Sequence, residues 1–319
     1  MTAFRLNEVK ADVFHVPQTY SLAYSCNADF YAEKGKLAWK FGVIFGQHDE
    51  LSRQYICSGE VAVLEDNARF IYSLVTKDTM YHKSSYENVE SALICMRHHM
   101  KNHNAHKVAM PRICSGSDGL KWSRIREIIL RVFANEYNTE IMICNYQPPK
   151  IVDPKCRILE QRGHNITAPE NCALVHSISA DFAMCSSIGM QFNCKYGPSN
   201  ETLKQYKHTG NVAVLKEQKR YVYNLVTKER NHERSTYIAL FYALTATRDH
   251  MRQHGVKKLA IPRLGCGIDR LDWLRVKNIL EMVFAEDEVD ITTYSHDPLL
   301  SMPSREQLHV HCTTCKRAF

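Results

Sequence analysis

The chain has 319 residues, 45% hydrophobic and 24% charged, and its 41 Lys and Arg against 34 Asp and Glu leave a net charge of 41 − 34 = +7. This composition excludes a disordered chain, and no run of about 18 apolar residues is present to span a membrane. The positive surplus is scattered, densest around His98 to Lys107, so it suits anionic ligands without indicating nucleic acid.

At roughly 150 residues per domain, the length predicts two cores. The 12 Cys lie isolated in apolar stretches, as at Cys95, Cys144 and Cys194. Glu8 and Asp12 interrupt the N-terminus before an apolar leader could form, so we expect no signal peptide and a reducing cytoplasmic or nuclear setting.

Taken in chain order, the predicted elements come twice. SGEVAVL (Ser58 to Leu64) returns as TGNVAVL (Thr209 to Leu215), and FIYSLVTK (Phe70 to Lys77) returns as YVYNLVTK (Tyr221 to Lys228). These are β-rich runs, the second ending on a Thr-Lys pair. A helix is predicted from Tyr86 to about Asn102, with Val89, Leu93, Met96 and Met100 on one stripe and a capping box from Ser84 to Glu87. A strand follows (Lys107 to Ile113; Lys258 to Leu264), then a Gly-containing loop. A second amphipathic helix comes next, in which Ile125, Ile128, Ile129 and Val132 match Val276, Ile279, Leu280 and Val283. The last apolar run is Ile141 to Tyr146, or Val289 to Tyr294.

The offset between copies, 228 − 77 or 273 − 122, is 151. Pro17 and Pro169 differ by 152, which places one extra residue in the first copy between Tyr24 and Phe45. Alternating strands and helices predict an α/β domain with a largely parallel sheet covered on both faces. Ligands of such sheets bind beyond the carboxyl ends of the strands. We assign copy 1 to residues 1–147, a Pro-containing linker to 148–156, copy 2 to 157–298 and a C-terminal tail to 299–319. Pro148, Pro149 and Pro154 predict a short, stiff linker that holds the domains close.

Two features could carry chemistry. Gly265-Cys266-Gly267 lies between an apolar strand and a helix whose first turn is predicted to include Asp269 and Asp272. It reads either as a cradle for phosphate oxygens or as a tight turn without a ligand. Lys77 and Lys228 end their strands, and Asp118 and Asp269 follow 41 residues later (118 − 77, 269 − 228). Each pair either converges on one crevice or is a solvated lysine beside a helix N-cap aspartate.

The runs SGEVAVL, YSLVTK, HKSSYENV and MPRI to Trp122, with TGNVAVL, YNLVTK, STY and IPRLGCGIDRLDW, resemble the macrodomain family, in its terminal ADP-ribose protein glycohydrolase branch. The likeness covers about residues 5 to 146 and 157 to 296, and EVKADVF (Glu8 to Phe14) is similar to the family's first strand and adenine-side turn. The resemblance implies two three-layer α/β/α domains, each with a mixed central sheet and an ADP-ribose cleft at its crest. It implies removal of ADP-ribose from acidic side chains and deacetylation of O-acetyl-ADP-ribose, with no cofactor and no metal. By motif match the attacking lysine would be Lys228 with Asp269, or Lys77 with Asp118. A lysine must lose its proton to attack, yet a neighbouring carboxylate favours the ammonium, so burial or proton transfer to the aspartate has to intervene.

The copies depart from the family pattern differently. The first glycine-rich loop keeps only Gly35 in copy 1, beside Glu33, Lys34 and Lys36, and has Cys185, Ser186 and Ser187 in copy 2. The glutamate would repel a diphosphate, and the lysines would offset it. The second loop is Cys114-Ser115-Gly116 in copy 1 but Gly265-Cys266-Gly267 in copy 2. On the adenine side copy 1 keeps Asp12, where copy 2 has His164. Asn27 and Ser179 fall on the family's first substrate loop. Copy 2 is therefore expected to carry catalysis and copy 1 a weakened phosphate clamp.

In the tail, His309, His311, Cys312 and Cys315 lack the separated pairs of a structural zinc site, and a flexible basic end is expected instead. His98, His99 and His103 are expected as helix-surface residues. The expected partner is ADP-ribose or an ADP-ribosylated protein, with no membrane. The alternatives to an enzyme are a reader that binds without turnover and a scaffold that binds nothing.

Overall fold

The apolar and amphipathic runs fold as strands and helices once in each half of the chain. In a computed structural model that describes residues 3–46, 48–66, 69–146, 154–183, 187–197 and 200–295, the chain divides into two units, Met1–Lys150 and Ile151–Phe319. The first unit runs β1 (Arg5–Val9), a 3-10 turn (Val13–His15), β2 (Ser21–Asn27), α1 (Leu37–Phe45), α2 (His48–Ser52), β3 (Val61–Asp66) and β4 (Arg69–Lys77). It continues through α3 (Tyr86–Asn102), β5 (Lys107–Pro111), α4 (Trp122–Phe133) and β6 (Glu140–Cys144). The second unit runs β7 (Arg157–Arg162), a 3-10 turn (Asn165–Thr167), β8 (Ala173–Ser179), α5 (Ser187–Tyr196), α6 (Asn200–Leu203) and β9 (Val212–Lys216). It ends with β10 (Tyr221–Lys228), α7 (Tyr237–His254), β11 (Lys258–Pro262), α8 (Trp273–Phe284) and β12 (Asp290–Ser295). Residues 147–153 and 296–319 lie outside the described set, and with them most of the expected linker and all of the tail.

Each unit builds a six-stranded mixed sheet, ordered β1-β6-β5-β2-β4-β3 and β7-β12-β11-β8-β10-β9. Neighbours are parallel except the edge strands β3 and β9, which pair antiparallel with β4 and β10. Side chains of successive strand residues point to opposite faces. Ala23 of β2 therefore joins the cluster that buries Val89, Leu93, Met96 and Met100 of α3 with Ile125, Ile128, Ile129 and Val132 of α4. Tyr24 points the other way and stacks on Phe41 of α1, ring centroids 4.1 Å apart. Helices thus cover both faces, which makes three layers.

The central strands β2 and β8 and the helices α1 and α5 are not among the runs legible in the sequence. Their buried positions carry polar groups that meet across the sheet. Ser73 donates to the Tyr24 hydroxyl at 2.9 Å, and in the second unit His176 Nε2 lies 2.6 Å from Asn224 Oδ1. Tyr24 stacks on Phe41 as His176 does on Phe192, offsets of 152 and 151, which places the extra residue of copy 1 between Tyr24 and Phe41. The predicted capping box is shifted by one residue. Ser85, not Ser84, is the N-cap of α3 and accepts from the Asn88 amide, as Thr236 accepts from Ala239 in α7.

His176 makes the second unit acid-sensitive. It is 1% exposed, and burial pushes its pKa down to about 4, although the Asn224 contact opposes the shift. The unfolded chain takes up this proton near pH 6.5, before the folded chain does. Stability is therefore complete above about pH 6.5 and falls as the pH drops towards 4, by up to about 3 kcal/mol. Urea denaturation of the full chain at pH 7.5 and 4.5 should show this loss. The double variant His176→Tyr with Asn224→Ser, which installs the copy 1 pair, should recover at least half of it; an unchanged pH dependence would contradict the assignment.

Candidate active site

The crevice in each unit is opened by strand divergence. β2 and β5 pair over only Ser21↔Val108 and Leu22↔Ala109, and β8 and β11 over Leu259↔Ala173 and Ala260↔Leu174. Beyond those residues the parallel strands separate, and their carboxyl ends leave the gap where ligands of such sheets bind. A register irregularity then sets Asn27 opposite Lys77 and Ser179 opposite Lys228.

Both lysines turn inward to the aspartates of the following loop. Lys77 Nζ donates to Asp118 Oδ1 at 2.7 Å, and Lys228 Nζ to Asp269 Oδ1 at 3.0 Å. Their side chains are only 14% and 12% exposed, so the solvated-lysine reading does not hold. Nor is either aspartate an N-cap or part of the first helical turn. Asp272 caps α8 by accepting from the Arg275 amide at 2.9 Å, and Asp269 stands before it in the loop.

The second carboxylate oxygen is also held. Ser84 donates to Asp118 Oδ2 at 3.0 Å and Ser235 to Asp269 Oδ2 at 2.6 Å. Behind them Thr76 and Thr227 reach the serine hydroxyls at 2.8 and 2.7 Å. These Thr-Ser pairs were missed as site residues. Their signal is the repeat itself, Ser84-Ser85-Tyr86 against Ser235-Thr236-Tyr237. Each aspartate is thereby fixed in orientation by one charged and one neutral donor.

The loop bearing the aspartate is clamped at both ends. Arg112 and Trp122 both donate to Glu8 of β1, at 2.8 and 3.2 Å, and Arg263 and Trp273 both donate to Glu160 of β7, at 3.0 and 3.3 Å. The Arg112 hydrogen bond draws the Glu8 carboxyl below its ordinary pKa against the effect of burial. The Pro-Arg and Trp of the shared motif are therefore loop anchors. Tyr86 and Tyr237 accept the amides of Lys121 and Asp272, under Arg124 and Arg275.

Within the loop, two residues of each copy are left-handed. They are Cys114 (φ 53°) and Gly119 (φ 73°) in copy 1, and Gly265 (φ 68°) and Arg270 (φ 58°) in copy 2. Each copy has one glycine and one residue that tolerates the strain at about 1 kcal/mol. Replacement of the first glycine by Cys114 leaves the turn intact, because the carbonyls of Cys114 and Gly265 accept Leu120 and Leu271 amides at 3.1 and 2.9 Å. Gly116 and Gly267 border open space, where even an added Cβ would meet nothing within 4 Å. A ligand can therefore approach the backbone there. Cys266 is no thiolate nucleophile, since burial pushes its thiol up to about 11.

The other predicted contacts are placed less uniformly. Asp12 caps the 3-10 turn by accepting the Phe14 amide at 3.0 Å; burial raises its pKa, but His15 and that amide together hold it below the ordinary value. His164 takes the equivalent N-cap place without a side-chain cap. Asn27 donates to the Tyr31 carbonyl and Ser179 to Asp181, so both side chains brace the loop that follows. Lys36 lies 3.8 Å from Glu33, answering its charge. Ser186 is outside the described residues; Ser187 begins α5.

No family model matches the chain. It is similar to the protein named ADP-ribose glycohydrolase OARD1 of Bos taurus, 42% identical over 139 residues, covering 44% of this chain and 91% of that protein. The Homo sapiens protein of the same name is 40% identical over 144 residues, covering 45% of this chain and 95% of that one. Among solved structures, the macrodomain of Thermus aquaticus DarG matches with a TM-score of 0.41 at 20% identity, over 46% of this chain and 99% of that one.

The bond to a carboxylate makes Ser235 costly to remove. In urea denaturation of the full chain, Ser235→Ala should lose about 1.5–3 kcal/mol, and Thr236→Ala, which removes only a cap, about 1 kcal/mol. A smaller loss at Ser235 than at Thr236 would contradict the arrangement.

Proposed function

The chain belongs to the macrodomain family, alongside the ADP-ribose glycohydrolases OARD1, and from that premise we propose that it releases ADP-ribose from acidic protein side chains. Deacetylation of O-acetyl-ADP-ribose follows by the same step when the acetyl group is on the anomeric oxygen, acetate then leaving as the acidic side chain does. The observation that carries this reading is the carboxylate of Asp269 held between Lys228 and Ser235 at the edge of an open crevice.

The chemistry follows from that contact. Asp269 Oδ1 accepts a proton from the Lys228 ammonium, and the nitrogen lone pair attacks the anomeric carbon of the distal ribose. The C–N bond forms as the bond to the ester oxygen breaks, and the acidic side chain departs as its carboxylate. The second nitrogen proton passes to the ring oxygen as the ring C–O bond opens, which leaves a protonated imine between Lys228 and the open-chain ribose. Water adds to the imine, Lys228 leaves as the amine, and the ring closes as free ADP-ribose. Ser235 keeps the other carboxylate oxygen engaged, so that Oδ1 remains aimed at the lysine. The loop containing Gly265 and Gly267 offers backbone to the diphosphate at Gly267, where an added Cβ would meet nothing within 4 Å.

We assign the principal chemistry to copy 2. In copy 1 the same Lys77–Asp118 pair is built, but the buried Cys114 thiol donates to Thr76 Oγ1 at 3.5 Å, within the hydroxyl network that orients Asp118. The capped carboxylate of Asp12 supports a second reading for this copy, a module that holds ADP-ribose or an ADP-ribosylated protein.

The test is release of ADP-ribose from a glutamate-modified protein. Lys228→Ala and Asp269→Ala should each slow release by at least about 100-fold, as loss of a nucleophile or of its proton acceptor does. Lys77→Ala should have the smaller effect. Undiminished release by both copy 2 variants would overturn the assignment, and binding without release by the wild type would favour the reader.

A further inference from the structure

At the other end of the second sheet lies a concavity of about 420 Å³, formed by the amino-terminal end of β8, the β9–β10 turn and the connection from α7 to β11. Tyr221, which lines it, precedes Lys228 by seven residues of β10. At about 3.3 Å per residue that is roughly 23 Å, so this concavity is separate from the candidate active site.

Its lining is strongly cationic: Lys216, Lys219, Arg220, Lys257 and Lys258 border it with Tyr221. The acidic groups around it are Glu217 in the lining, Glu170 paired with Lys219 at 2.6 Å, and Asp290 paired with Arg157 at 2.8 Å. Gly255 and Val256 supply a small apolar wall. Gly255 is left-handed (φ 66°), and a Cβ there would meet nothing within 4 Å, so the concavity stays open beside it.

The repeat supplies a control. At the offset of 151, Lys216, Lys219 and Lys257 correspond to Glu65, Ala68 and His106. With histidine neutral, these three positions carry −1 in copy 1 and +3 in copy 2. Arg69 and Lys107 are shared with Arg220 and Lys258. In copy 1 Arg69 is buried and bonded to Asp66 at 3.0 Å, whereas Arg220 donates to the Ala168 carbonyl at 3.2 Å. The first unit therefore folds with Glu65 and His106 where the second has Lys216 and Lys257. Gathering like charges around one hollow raises the energy of the empty site through mutual repulsion, and an anion relieves it.

We propose that copy 2 carries a second ligand site here, which takes a small organic phosphate bearing at least two phosphate charges. The size is that of a small-molecule pocket rather than a stripe that tracks a polymer. Lysines are suited to phosphate as point charges, and the Tyr221 ring with Val256 gives an organic body an apolar surface. The site stands independently of the proposed hydrolase activity.

The experiment is calorimetric titration of the full chain with inorganic pyrophosphate at low salt, in the presence of saturating ADP-ribose. The triple variant Lys216→Glu, Lys219→Ala, Lys257→His, which installs the copy 1 residues at exposed positions, serves as comparison. We expect one pyrophosphate per wild-type chain and at least ten-fold weaker binding to the variant, with ADP-ribose binding unchanged. If ADP-ribose does not bind at all, the hydrolase reading fails, while loss of pyrophosphate binding in the triple variant still supports this site. Absence of pyrophosphate binding, or binding that the variant leaves unaltered, would overturn the proposal. A single-stranded oligonucleotide that binds at least ten-fold tighter than pyrophosphate and is lost in the same variant would overturn the small-ligand assignment in favour of an extended polyanion.

Discussion

The carboxylate between a lysine and a serine is the interaction on which each unit is organised. An ion pair this poorly exposed contributes only if its geometry is good and its remaining lone pairs are satisfied. Here both oxygens of Asp118 and Asp269 are engaged, by Lys77 and Ser84 and by Lys228 and Ser235. The partners come from a strand end, the start of a helix and the loop after another strand. The sheet must therefore bring three separate segments into register before the site exists. The anchoring of the loop by Glu8 and Glu160, through an arginine and a tryptophan at its two ends, serves the same requirement.

Duplication shows which parts of this arrangement are rigidly constrained. The Thr-Ser-Asp-Lys network, the glutamate anchor and the tyrosine under the arginine recur in both units. The left-handed turn tolerates exchange of glycine for Cys114 at one place and for Arg270 at another, because the surrounding hydrogen bonds fix the backbone. The central hydrogen-bonded pair of β2 and β4 changes from Tyr24 with Ser73 to His176 with Asn224. That exchange keeps a buried polar contact but places an ionisable ring in the core of the second unit.

Much of the fold was legible because its signals are local and periodic. The α3 and α4 stripes and the edge runs follow from spacing, and the duplication follows from a constant offset. The centre of the sheet was harder to read, since Ser21, Tyr24, His176 and Ser179 look like loop or surface residues until their partners on β4 and β10 are known. At the site, the Lys-Asp pairs were readable from spacing and from resemblance to the family. Ser84 and Ser235 were not, because a serine before a helix has an ordinary capping role, and only the structure shows that its neighbour takes it. The aspartates were open to the same ambiguity, which Asp272 as the observed cap of α8 removes.

If, as we propose, Lys228 bonds covalently to the ribose while Asp269 holds its proton, the intermediate can be trapped. Reaction of the full chain with a glutamate-ADP-ribosylated protein, quenched with borohydride and mapped by peptide mass spectrometry, tests it most directly. A reduced ADP-ribose adduct is expected on the peptide containing Lys228, lost in Asp269→Ala. Turnover with no adduct at Lys228, or with the adduct confined to Lys77, would contradict it.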